Sequence, residues 1–131
     1  MAGNVLAAAI LLLFGSGCAA SRTFPGNITR AIRNPEAMRA TLASQVVGRP
    51  LADAQKFMEQ EAFACSLVRQ GSFQHGPDGE RDVRQGIDYL HCRREDPDRD
   101  SCLVGWDWNV ALVLENDMVM DVMAYAYGRG P

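Results

Sequence analysis

From Cys102 to Leu114 every second position is apolar: Cys102, Val104, Trp106, Trp108, Val110, Leu112 and Leu114, with Gly105, Asp107 and Asn109 among the residues between them. A period of two puts these side chains on one face of a strand, so the segment predicts a long β-strand with that face meant for a core. Asn116-Asp117 then supplies a hairpin turn into a last strand from Met118 to Tyr127. Two registers are open. A two-residue loop sets Val119 and Asp121 on the face of Leu112 and Leu114 and buries a carboxylate. A three-residue loop with a bulge sets Met120, Val122 and Ala124 there and turns Asp121, Tyr125 and Tyr127 outward, and this is the register expected here.

Upstream, Phe63, Cys65 and Leu67 alternate over a first short strand, followed by turn signals at Gln70-Gly71 and from His75 to Gly79. Gln85 to Arg94 gives a second strand. The mixed charges from Arg93 to Asp100 read as a solvated loop. Before the strands, the period changes to that of a helix. Asn34 can cap free amides, Pro35 fits the first helical position and Glu36 suits the positive end of the dipole. Met38, Leu42 and Val46 then share one face. Gly48-Arg49-Pro50 breaks that helix, and Leu51, Ala54, Phe57 and Met58 form the apolar stripe of a second. The expected class is α+β: two short N-terminal helices packed on a three- to four-stranded antiparallel sheet.

The chain's first residues have a different pattern. Val5 to Phe14 is an apolar run of about half the ~20 residues that cross a bilayer, which suits a signal-peptide core better than a span. It ends in the small-residue setting Gly15-Ser16-Gly17-Cys18-Ala19-Ala20. This arrangement resembles a bacterial lipoprotein signal, which implies cleavage before Cys18 and acylation of that cysteine. Ala19 in place of Asp then implies the periplasmic face of the outer membrane. Secretory cleavage after Ala20, or an uncleaved interfacial anchor, are the other readings, and all three place the remainder outside the cytoplasm. The expected division is 1–17 signal peptide, 18–33 lipidated flexible tether and 34–131 a single α+β domain, with the membrane as partner through the lipid on Cys18.

Charge and cysteines narrow the picture further. The net charge is −3, with acids and bases interleaved rather than gathered in a basic stripe, so nucleic acid is not an expected partner. In an oxidising compartment Cys92 and Cys102 are the expected disulfide, bracketing the Arg93–Ser101 loop, with Cys65–Cys92 across neighbouring strands as the rival. His75, His91, Cys65 and Cys92 lack metal-ligand spacing, so no metal is expected. Ser66, Ser72 and Ser101 sit in no nucleophile motif and no glycine motif cradles a phosphate, so no catalytic residue, cofactor or enzymatic activity is assigned.

Val47-Gly48-Arg49-Pro50-Leu51 leading into the second helix, Phe63-Ala64-Cys65 opening the first strand, and the Leu114-Glu115-Asn116-Asp117-Met118-Val119 hairpin together resemble the small outer-membrane lipoproteins of the BamE (SmpA/OmlA) type. More broadly, they resemble the helix-pair-plus-sheet unit of beta-lactamase-inhibitor-like domains. The resemblance implies a binding scaffold in the envelope with a protein partner, and Asp121, Tyr125 and Tyr127 on the outer sheet face are the expected contact residues. The alternative is a periplasmic inhibitor or immunity protein that blocks a hydrolase, using the acidic run from Glu95 to Asp100.

Overall fold

The computed structural model describes residues 27–74, 83–98 and 101–129; Cys18, His75 and the Cys102 side chain lie outside the described residues. Among the described residues two helices, α1 (Pro35–Val46) and α2 (Leu51–Gln60), precede four strands, β1 (Ala64–Gln74), β2 (Val83–Asp98), β3 (Ser101–Glu115) and β4 (Met118–Arg129). The strands form one antiparallel sheet in the order β1-β2-β3-β4. The class is therefore α+β, with the helices in the middle of the chain rather than at its N-terminus.

Asn34 accepts the Glu36 and Ala37 amides at the start of α1. Met38, Leu42 and Val46 on α1, with Ala54 and Met58 on α2, are fully buried against the sheet. Between the helices Gly48 adopts a φ of 87°, which an L side chain resists. Its amide reaches the Val119 carbonyl at 2.8 Å, and the Leu51 amide reaches that of Asp117 at 2.8 Å, so the interhelical link is stitched to the β3–β4 hairpin.

That hairpin corrects the expected register. Asn116 and Asp117 have φ of 54° and 58°, the paired positive values of a type I′ turn, so the loop has two residues. The bulge follows it at Met120, since Leu114 pairs with Val119 and Val113 with Asp121. Val119 is consequently buried and Met120 is 54% exposed, while Val122 and Ala124 return to the core face and Asp121 stays off it. A bulge inside the strand permits what neither loop length alone achieves: an apolar residue inward on both sides of it with the carboxylate outward.

The face away from the helices is a second core. Ala111 and Val113 on β3 are buried there with Phe73, Tyr89 and Met123. Phe73 on one edge strand lies 5.6 Å from Tyr125 on the other, between ring centroids. In a flat sheet those strands would stand about 14 Å apart, so the sheet curls around this face. The curl follows a bulge at Gln70-Gly71, where Gln70 has φ 51° and its amide donates to Asp88 Oδ1 at 2.9 Å. That hydrogen bond, helped by Arg69, holds the Asp88 carboxyl below its ordinary value. The turn signal read at Gln70-Gly71 is thus a bend within β1.

Candidate functional site

Beyond Cys92 the sequence suggests a solvated loop, but β2 continues to Asp98, and Arg94 and Asp96 keep the parity that puts Leu90 and Cys92 on the helix-side face. Arg94 and Asp96 are buried there. Arg94 donates to both carboxylate oxygens of Asp96 at 2.7 Å, to Thr29 Oγ1 at 2.6 Å and to the Glu61 carbonyl at 2.8 Å. Its guanidinium also lies 4.5 Å from the centre of the Phe63 ring. Burial pulls the guanidinium below its ordinary pKa and the Asp96 carboxylate counters that pull. Arg30 completes the pairing with a 2.8 Å bond to Asp96.

The buried Glu61 carboxylate accepts the Ile28 amide, the Thr29 amide and the Thr29 hydroxyl at 2.8–3.1 Å. Thr29 is itself fully buried. Residues 28–30, expected within a flexible tether, are instead clamped into the domain by Glu61, Arg94 and Asp96. These bonds compensate the burial of the charged groups and hold residues 28–30 at this place in the fold.

On the opposite face at this end of the sheet, Arg93, Asn109 and Tyr125 stand side by side across β2, β3 and β4, with Glu95, Asp107 and Tyr127 in the next row. The Tyr125 and Tyr127 rings meet edge to face at 5.1 Å. Tyr127 is 43% exposed. Tyr125 is half-buried against Phe73, and burial together with the Tyr127 hydroxyl pushes its phenol up to about 12. It is a neutral hydrogen-bonding group at any physiological pH.

A cleft of about 610 Å³ opens at the same end, lined by Arg30, Ala62, Cys65, Arg93, Glu95 and Trp108 among others. Its members Arg93, Glu95 and Asp107 belong also to the two tyrosine rows, so cleft and tyrosine face form one continuous surface. Asp121 does not join it. It lies six positions before Tyr127, about 20 Å along a strand, and it is bound to Arg84 at 2.8 Å.

The disulfide also departs from the expected pairing. Cys92 is joined to Cys65, not to Cys102. Cys65 and Cys92 are direct cross-strand partners with Cα atoms 4.1 Å apart. The expected pairing assumed that Cys92 and Cys102 face each other at the base of a loop. In the observed register Cys92 instead lies opposite Val110, and Ser101 lies opposite Asp98. His91 is a strand residue, its Nε2 3.2 Å from Asn109 Oδ1.

The alternation of Arg94 and Asp96 with Arg93 and Glu95 carries a strand signal that the charges conceal, and the length of the apolar stripe on β3 requires an equally long neighbour. Thr29 and Glu61 carry no comparable signal, because their partners are distant in sequence. No family model, curated protein or solved structure matches this chain.

Proposed function

We propose that the chain is an exported, lipid-anchored envelope protein that holds a protein partner at the end of the sheet formed by Arg93, Tyr125 and Tyr127. The observation that carries the reading is the exposed Tyr127 ring packed edge-on against Tyr125, beside a cleft that shares Arg93, Glu95 and Asp107 with the tyrosine rows. Rigid aromatic groups beside an arginine are the side chains that most often dominate protein interfaces. The Cys65–Cys92 bridge supports an oxidising compartment. Lipid on Cys18 would hold this end near the bilayer, since the nine residues from Ala19 to Asn27 reach at most about 30 Å.

The inhibitor reading draws on exposed acid between Glu95 and Asp100. With Asp96 buried between Arg30 and Arg94, that run presents less charge than the sequence suggests, and docking is the better-supported function.

Tyr127→Ala, alone and with Tyr125→Ala, is expected to lower capture of the partner from crosslinked envelopes by about tenfold or more, the scale of an interface hot spot. Thermal unfolding of Tyr127→Ala serves as the folding control. Undiminished capture by a normally folded Tyr127→Ala protein would contradict the assignment of this surface.

A further inference from the structure

Strand β2 outruns its neighbour. β1 begins at Ala64, opposite Arg93, whereas β2 continues to Asp98. Among the described residues no strand or bridge pairs with Glu95 to Asp98 on the side that β1 leaves. The cleft lies at this step, bordered by Ala62, Ala64, Arg93 and Glu95. Trp108 lines it too, and the buried indole Nε1–H has no acceptor among the described residues. Such a donor is costly until an oxygen accepts its hydrogen.

We propose that this cleft takes the carboxy-terminal end of an extended partner peptide, which adds a short strand to β2 in the lane that β1 vacates. The inference rests on the docking function above and names the chemistry of the partner. Topology selects a chain end. A strand laid in this lane antiparallel to β2 runs towards Ala64, where β1 itself occupies the lane, so the added chain must stop there. Its terminal carboxylate arrives beside exposed Arg93, with Arg30 lining the same cleft, and charge-assisted hydrogen bonds hold it.

Pro97 points to the same conclusion. It has no N–H to offer an added strand, so backbone pairing at this edge is short and the terminal charge must supply the rest of the grip. Glu95 and Asp107 stand opposite each other on the face where one of the peptide's last two side chains projects. Two carboxylates there favour lysine or arginine at that position.

The test passes two pools of random biotinylated hexapeptides over the mature, disulfide-bonded protein, one pool with free carboxyl ends and the other amidated. Free-acid peptides carrying Lys or Arg in the last two positions are expected to be enriched about tenfold over the amidated pool. Arg93→Gln, which changes an exposed side chain, should remove that preference without changing the melting temperature. Equal enrichment of both pools, no enrichment in either, or a preference that survives Arg93→Gln would overturn the proposal. If envelope capture still depends on Tyr127 while no free-acid peptide is enriched, the partner docks through a folded surface and only this inference falls. If neither holds, the docking function falls with it.

Discussion

Arg94→Ala is expected to destabilise the domain by about 3–5 kcal/mol, because it leaves the Asp96 carboxylate buried with much of its compensation gone. Arg94 and Asp96 side chains are 2% and 3% exposed, so water cannot replace the lost bonds without opening the structure. The Thr29 hydroxyl and the Glu61 carbonyl lose the same donor, which loosens the clamp on the entering chain as well. For a domain of about a hundred residues the melting temperature should fall by roughly 15 °C or more. Replacing the pair together, Arg94→Met with Asp96→Leu, should restore a large part of the loss, since both buried charges are then absent. A single variant within about 1 kcal/mol of the parent would mean that the cluster is hydrated in solution.

Loss of the Cys65–Cys92 bridge is the other large effect. The cysteines lie 27 residues apart, and in the chain-entropy account a loop of that size stabilises the fold by about 3.5 kcal/mol. The bridge also ties an edge strand to the body of the sheet at the border of the cleft. The Cys65→Ala/Cys92→Ala double variant should therefore melt well below the parent under oxidising conditions and near it once the parent is reduced. Cys102→Ala should leave the bridge in place, which peptide mapping without reduction would read directly. A Cys92–Cys102 peptide in that map of the parent would refute the pairing described here.

The sequence is most legible where side-chain period and local chemistry agree. Met38, Leu42 and Val46 share a helix face and are buried, Asn34 caps the helix as its side chain allows, and Trp108, Val110, Leu112 and Leu114 line the core from alternate positions. It is least legible where burial depends on distant partners. Arg94 and Asp96 read as solvent-facing charges because the groups that satisfy them, Thr29, Arg30 and Glu61, come from other parts of the chain. The second core had a local sign in the unbroken apolar run from Val110 to Leu114, which suits a strand covered on both faces. Its cover, Phe73, arrives only through the bend at Gln70-Gly71, which resembles an ordinary turn in sequence.

For the candidate site, Tyr125 and Tyr127 are readable from the alternation along β4, whereas Asp121 shares their parity but lies too far along the strand to act with them. The cleft was not readable at all. It arises from the unequal starts of β1 and β2, a property of the pairing and not of any motif.

The proposed anchoring has this domain exported and held to a membrane by lipid on Cys18, with its docking end near the bilayer. Intact-mass spectrometry of the protein isolated from its native membranes tests it most directly. The expected result is a species beginning at Cys18 that carries diacylglycerol and an amide-linked acyl chain and is lighter by the two hydrogens of one disulfide. A chain that begins at Met1, has no acyl mass and keeps all four cysteines as thiols would contradict it.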